Sequence, residues 1–346
     1  MEKKQFAQIN ISDIFFDSLK SDYPGFTEWY IKKSKDYAYV QYDKTGSLLG
    51  FLFLKMEYDS VCDTVPIISA QRILKVGTFK IDAHGTRLGE RFIKVITDTA
   101  MKEKADICYV TVFPKYTGLI DLLKRFGFIE YGIKNSSAGQ ETVFVKNMRK
   151  CLGNLNLDYP LIKATNVKKY ILGIYPQYHS IMFPDSILTT ENPSIIKDIS
   201  YGNSIHKIYL CRMNGIDNLK QGDVLVIYRT ADDNKAAEYS SVITSIGVVE
   251  SVKRQEEFAD FNIFYQYASQ YSVFDKADLE YWYNKGCCRA IKFTYNIALK
   301  KRITRHDLIE EIGLDRNAYW GFFELSDTEF IEIIKRSNVD LDYFEY

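Results

Sequence analysis

The apolar positions of this chain change period several times along its length, and each change marks an element. Ile11–Leu19 and Phe26–Ser34 read as two short helices on either side of Asp22-Tyr23-Pro24-Gly25, a turn signal. Tyr37–Tyr42 alternates as a strand does. Asp43-Lys44-Thr45-Gly46 is then a hairpin turn, and Ser47–Glu57 is the returning strand. Ile73–Asp82 is a further strand, followed by a glycine-bearing loop at Ala83–Gly89. Leu88–Lys104 is a helix with Leu88, Phe92, Val95, Ile96, Thr99 and Ala100 on its apolar face. Ile107–Phe113 reads as a buried strand ended by Pro114. Tyr116–Phe126 reads as a helix stopped by Gly127, and Glu141–Asn147 as a closing strand. This order predicts a mixed α/β domain with a β-α-β core.

Residues 151–166 lack a clear period and are expected to link this domain to a second one. Beyond them strands dominate: Lys168–Pro176, Lys207–Met213, Asp223–Thr230, Val242–Lys253 and Arg289–Tyr295. Two helices follow. Thr304 precedes Asp307 and Ser326 precedes Glu329, both at capping-box spacing. The pattern predicts a small β-barrel decorated with helices.

Composition narrows this picture. A length of 346 residues suits two domains. A hydrophobic fraction of 46% and a charged fraction of 26% are those of an ordinary soluble protein. The aromatic fraction is 15%, carried by 26 Tyr and 22 Phe; most of these fit strand packing, and some can offer stacking surfaces. Net charge is zero, which argues against wholly electrostatic nucleic-acid binding but leaves room for a local basic patch. The six cysteines form no C-x-x-C pair and the four histidines are scattered, so no metal site of standard spacing is expected. No signal peptide or membrane span is visible, and a reducing, cytoplasmic setting is expected.

The segment VGTFKIDAHGTRLGERFIKVI carries the first candidate site. A strand runs into Ala83-His84-Gly85-Thr86-Arg87-Leu88-Gly89, and a helix starts there. Backbone amides in such a loop, with the positive end of the helix dipole, suit a pyrophosphate. Gly85 and Gly89 would let the backbone approach it, and Arg87 would add a cation. Two glycines beside a helix start are equally compatible with a tight turn. The segment resembles motif A of the GNAT acetyltransferase superfamily, R/Q-x-x-G-x-G/A. His84 stands at the R/Q position, Arg87 at that of the first glycine and Gly89 at that of the last. Ile107–Pro114 and Leu119–Phe128, ending LLKRFGF, resemble the strand and helix that follow in that superfamily. The resemblance covers residues 1–150 and implies a mixed sheet splayed at its centre, with acetyl-CoA in the splay. Amides of Val76, Gly77, Thr78, Phe79, Lys80 and Ile81 would hold the pantetheine. Those of Gly85, Thr86, Arg87, Leu88, Gly89 and Glu90 would hold the pyrophosphate. Amine acylation calls for a base and often an acid. Leu123 occupies the position of the family's usual tyrosine acid, and Tyr116 is the substitute, its alternative being a capping aromatic. Asp82 and His84 are the candidate bases, with phosphate contact an equal role for His84; Glu57 and Asp59 either line the acceptor cleft or are solvated. A site without an evident strong base suits an amine of low pKa. An α-amine near 7.7–8.0, such as that of an aminoacyl-tRNA, needs less help than a lysine near 10.4.

LKQGDVLVIY at Leu219–Tyr228 and SVITSIGVVE at Ser241–Glu250 resemble the core of PUA-like domains, which include the ASCH and EVE types. This resemblance covers residues 165–335 and implies binding of RNA or of a modified base. Tyr178, His179, Tyr228, Arg229 and Trp320 are the candidates for a base pocket, a core role being the alternative for Trp320. Lys300, Lys301, Arg302 and Arg305, with His306, form the densest basic cluster, either phosphate-binding or merely solvated. The expected organisation is an acyl-CoA-binding acetyltransferase domain at 1–150, a linker at 151–166 and a nucleic-acid-binding domain at 167–346. The expected activity is acetyl transfer from acetyl-CoA to an amine on or near tRNA, other RNA or modified DNA, in the manner of a translation-blocking toxin. The alternative is an RNA or modified-base reader whose first half only binds acyl-CoA.

Overall fold

The computed structural model describes residues 1–82, 87–186, 204–233 and 235–346. The chain forms two compact units: Met1–Leu152 with Asn156–Asp158, and Gly153–Leu155 with Tyr159–Tyr346.

The first unit opens with β1 (Glu2–Gln5), α1 (Asp17–Asp22) and α2 (Phe26–Lys32). The hairpin β2 (Tyr37–Tyr42) and β3 (Leu48–Tyr58) follows, closed by the Asp43 side chain, which accepts the amides of Thr45 and Ser47. Next come β4 (Arg72–Ile81), α3 (Leu88–Lys102), β5 (Ile107–Val112), α4 (Thr117–Arg125), β6 (Ile129–Ser136) and β7 (Gly139–Asn147). These strands make one sheet in the order β1-β2-β3-β4-β5-β7-β6. Only β4 and β5 run parallel, joined by α3 in a β-α-β crossover. The helices α1 and α2 bury Phe16, Phe26 and Tyr30 with Phe6, Phe51 and Phe53 in an aromatic cluster. Phe92, Ile93, Ile96 and Ala100 of α3 are fully buried, at the three- and four-residue spacing of an amphipathic helix.

Two strands of this sheet had no signal in the apolar pattern. β1 is short and polar. β6 is an edge strand that leaves Ile129 and Tyr131 exposed, so no buried period marks it.

Residues 151–166 are structured. They hold α5 (Leu155–Asp158) and β8 (Ile162–Lys163), and they bury Tyr159, Leu161, Ile162 and Ala164.

The second unit continues with β9 (Lys169–Ile174), α6 (Pro176–Met182), β10 (His206–Cys211), β11 (Val224–Arg229), α7 (Ala237–Ser240) and β12 (Val242–Arg254). Then come α8 (Phe261–Ala268), α9 (Lys276–Lys285), β13 (Arg289–Thr304), α10 (Arg305–Glu310), β14 (Phe322–Leu325), α11 (Asp327–Arg336) and β15 (Phe344–Glu345). Six strands form a mixed sheet in the order β10-β13-β12-β11-β9-β14, while β15 pairs with β8. One core cluster runs across all six strands, from Leu210 of β10 to Phe322 of β14. Both capping boxes form, through Thr304 with Asp307 and Ser326 with Glu329. α8 and α9 were missed because their aromatic-rich sequences carry no clean helical face; only Phe264, Ala268 and Leu279 are buried.

Candidate functional site

The sheet of the first unit forks at its centre. β4 and β5 pair from Ile73↔Ile107 to Val76↔Val110 and no further. Yet β4 continues to Ile81 beside β3, and β5 continues to Val112 beside β7. The two edges facing the fork, over Gly77–Ile81 and Thr111–Val112, therefore have no strand partner. A β-bulge lies at the fork point: Leu54 pairs with Val76 and Phe53 with Thr78, leaving Gly77 unopposed. A Cβ on Gly77 would stand 2.8 Å from Phe53 Cδ1, so a larger residue there would force the Phe53 ring to shift. Unpaired strand edges offer amide donors and carbonyl acceptors to an extended ligand that carries its own amides.

At the far end of β4, Asp82 is exposed and lies 3.4 Å from Lys80. The Lys80 ammonium reaches Ser18 Oγ at 2.8 Å, bonds the Phe15 carbonyl and covers the Phe15 ring at 4.6 Å. Lys80 thus ties β4 to α1 and to the turn before it. His84, Gly85 and Thr86 lie outside the described residues. Gly89 packs closely. Its missing side chain faces α4, where an added Cβ would stand 2.8 Å from Leu122 Cδ2. Close packing of two helices is therefore a reason for glycine at this position. Leu88 and Glu90 are buried beside it, with Arg125 3.9 Å from the Glu90 carboxylate.

Tyr116 caps α4 and donates its hydroxyl to Asp22, which also accepts Lys115 at 2.5 Å. Burial, then the Asp22 carboxylate, pushes the Tyr116 phenol up to about 12. Burial alone would raise Asp22, but the hydrogen bonds from Lys115 and Tyr116 prevail and hold it below the usual carboxylate range. Leu123 is fully buried. Glu57 accepts Tyr109 Oη at 2.8 Å and Lys55 at 3.2 Å, with Lys75 3.7 Å away.

Ser21, Asp22, Phe113, Pro114, Lys115 and Ala138 line an open cleft of about 340 Å³ beyond the end of β5. Beside it lies a pair that sequence reasoning missed. Glu141, at the start of β7 and 4% exposed, accepts Tyr23 Oη at 2.7 Å and Thr111 Oγ1 at 3.1 Å. The Tyr23 ring lies against Phe113 at 5.1 Å.

In the second unit the expected base-pocket residues are mostly core. Tyr228 and Trp320 are buried against each other, ring centroids 5.3 Å apart, and the Arg305 guanidinium covers Trp320 at 4.7 Å. They cannot serve as open platforms as they stand. Exposed rings in this unit include Tyr175, Tyr239, Tyr281 and Tyr319. Tyr178 is partly buried against Phe274. His179 is buried, with Nε2 2.7 Å from Thr244 Oγ1 and no hydrogen-bond partner for Nδ1 among the described residues. Burial, then the charges of Arg229 and Arg302, pushes His179 down to about 3. Arg229 is itself buried and bonds Asp232 at 2.8 Å.

Thr244 is a bulge residue on both sides of β12. Against β11 the register passes from Ser245↔Ile227 to Ile243↔Tyr228, and against β13 from Ser245↔Ala298 to Ile243↔Ile303. The residues of β13 looped out opposite it are Leu299, Lys300, Lys301 and Arg302. Lys300, Lys301 and Arg302 of the basic cluster thus lie in a strand bulge, Lys300 and Lys301 exposed, while Arg305 and His306 open the helix α10 that follows. Glu238, His306 and Glu310 form one group among the described residues with ligand atoms close enough for a metal ion. Arg316 already bridges both carboxylates, at 2.7 Å and 2.5 Å.

No family model matches the chain, and no curated protein matches it. Among solved structures it is similar to ASCH from Zymomonas mobilis, at 9% identity and a TM-score of 0.34, over 49% of this chain and 94% of that one. It is similar to Chaetomium thermophilum Naa20, solved with a bisubstrate analogue, at 14% identity and a TM-score of 0.33, over 45% of this chain and 92% of that one. A GNAT-family acetyltransferase from Streptococcus agalactiae is similar at 15% identity and a TM-score of 0.29, over 37% of this chain and 75% of that one. No helix among the described residues is long and apolar enough to cross a membrane.

Proposed function

We propose that the chain is an acetyl-CoA-dependent N-acetyltransferase whose first unit binds acyl-CoA and whose second unit holds a nucleic acid. The acceptor is an amine of low pKa on or near that nucleic acid, aminoacyl-tRNA being the leading example. The observation that carries the reading is the fork between β4 and β5, with its bulge at Gly77. Inside a sheet, unpaired strand edges are costly unless something pairs with them. A pantetheine arm has the length, the extended form and the amides to do so. The edges of Gly77–Ile81 would hold that arm. Arg87, at the N-terminus of α3, would meet the pyrophosphate. Acetyl-CoA supplies the acetyl group as a thioester; the chain supplies orientation, hydrogen bonds to the carbonyl oxygen and a route for the proton.

For the second unit, support comes from the exposed lysines of the β13 bulge, Lys300 and Lys301. They suit phosphate contact, while Tyr228 and Trp320 belong to the core beneath. We place the protein in a reducing, cytoplasmic setting. A reader function without turnover remains the second reading, favoured by the engagement of Tyr116 with Asp22 and by the buried Leu123.

The test uses the full chain with radiolabelled acetyl-CoA and bulk aminoacyl-tRNA. Label that becomes acid-precipitable with the tRNA and is lost on deacylation supports transfer. Coenzyme A binding by calorimetry without such label supports the reader. Absence of both removes the acyl-CoA reading.

A further inference from the structure

An amine loses a proton as it is acylated, and enzymes place a group to take it. In the first unit Asp82 is exposed and ion-paired, and Glu57 is held by Tyr109, Lys55 and Lys75. Glu141 differs. It is nearly fully buried, its partners are two neutral hydroxyls, and no lysine or arginine among the described residues pairs with it. A buried carboxylate without a countercharge is costly and calls for a reason. Its place suggests one. Thr111, one of its donors, is the first β5 residue past the last β4–β5 pair, so Glu141 stands at the mouth of the fork. Tyr23, its other donor, is partly exposed and packs on Phe113, which lines the cleft with Asp22.

We propose that Tyr23 and Glu141 form a proton relay for the acceptor amine, with Tyr23 touching the amine and Glu141 receiving the proton, a role that rests on the acyl-transfer reading above. The nitrogen lone pair forms the bond to the acyl carbon. The N–H proton passes to the Tyr23 oxygen as the Tyr23 proton passes to Glu141. The carbon–sulfur bond breaks, and its electron pair leaves on sulfur as the thiolate. Burial, then the hydrogen bond to Glu141, holds Tyr23 far above the ordinary phenol range, so a free tyrosinate is not formed and both protons move together. Asp22, Lys115 and Tyr116 are the other titratable groups at this cleft. Lys115 and Tyr116 are both engaged by Asp22, whereas the Tyr23 hydroxyl donates to Glu141, so its oxygen can accept a proton from the amine as its own proton passes on.

The full-length protein and its Tyr23→Phe, Glu141→Gln and Glu141→Asp variants are compared with acetyl-CoA and glycinamide, a simple α-amine, by thiol release. Coenzyme A binding is followed by calorimetry. As a readout without turnover, 3-fluorotyrosine at position 23 is titrated by fluorine NMR. The relay predicts that Tyr23→Phe and Glu141→Gln lower kcat by about 10²-fold or more with coenzyme A affinity unchanged, and that Glu141→Asp keeps part of the rate. It also predicts that the fluorotyrosine titrates at lower pH in Glu141→Gln than in Glu141. Wild-type turnover that both variants retain within about twofold, or an unchanged fluorotyrosine titration, overturns the relay and leaves acyl transfer standing. Failure of the wild type to bind coenzyme A overturns both, and binding without acetylation of glycinamide overturns the relay for α-amines.

Discussion

Replacing Gly89 by alanine separates two accounts of the turn into α3. If glycine is there for a phosphate, the cost appears in ligand binding; if for Leu122, it appears in stability. The added Cβ would meet Leu122 Cδ2 at 2.8 Å, about 0.6 Å inside ordinary contact, and Leu122 is itself buried and cannot swing clear. Overpacking of this kind costs about 1–3 kcal/mol. The gain in helix propensity from glycine to alanine returns at most about 1 kcal/mol. With that gain in full, the expected net loss is about 0–2 kcal/mol. With Leu122→Ala already in place the clash is gone, and Gly89→Ala should be neutral or stabilising. The coupling between the two positions is then about 1–3 kcal/mol. Urea denaturation read from Trp29, with Trp282 and Trp320 changed to Phe, reports the first unit alone, because the chain has only these three tryptophans. Equal losses in both backgrounds would refute the packing account. So would a stable Gly89→Ala variant that has lost coenzyme A affinity.

Lys300→Ala with Lys301→Ala should flatten the log–log salt dependence of single-stranded RNA binding by about 0.7 per cation, measured by filter retention. His179 takes up protons in the unfolded chain below about 6.5 but not in the fold, where it sits at about 3. The second unit should therefore lose stability as pH falls below about 6.5, the slope approaching about 1.4 kcal/mol per pH unit below about pH 5.5, and a folded His179→Gln variant should show a flatter slope. Ser326→Ala removes the cap of α11 and should cost about 1 kcal/mol, read from thermal unfolding of the second unit.

Much of the architecture was legible because local chemistry settles it. Tyr37–Tyr42 alternates, Asp43 closes its turn, α3 has a clean apolar face, and both capping boxes announce their helices. Where local signals fail, elements were missed: β6 exposes its apolar residues, and α8 and α9 carry rings nearly all round. The site was less legible for a different reason. The fork and its bulge are facts of register between β3, β4 and β5, which no single strand encodes. Tyr23 and Glu141 meet across 118 positions of sequence. The basic run Lys300–Arg302 was visible as charge, but its looping out of β13 depends on the partner strand. Tyr228 and Trp320 looked like stacking surfaces because burial cannot be read from residue type.

The central claim is that the open edge of β4 receives an acyl-CoA arm. Amide hydrogen exchange of the full-length protein, with and without saturating acetyl-CoA, tests it at the residues concerned. Pairing of the arm should slow exchange across Gly77–Ile81 while leaving β2, remote from the fork, unchanged. Saturation by acetyl-CoA with no added protection at Gly77–Ile81 would contradict the claim.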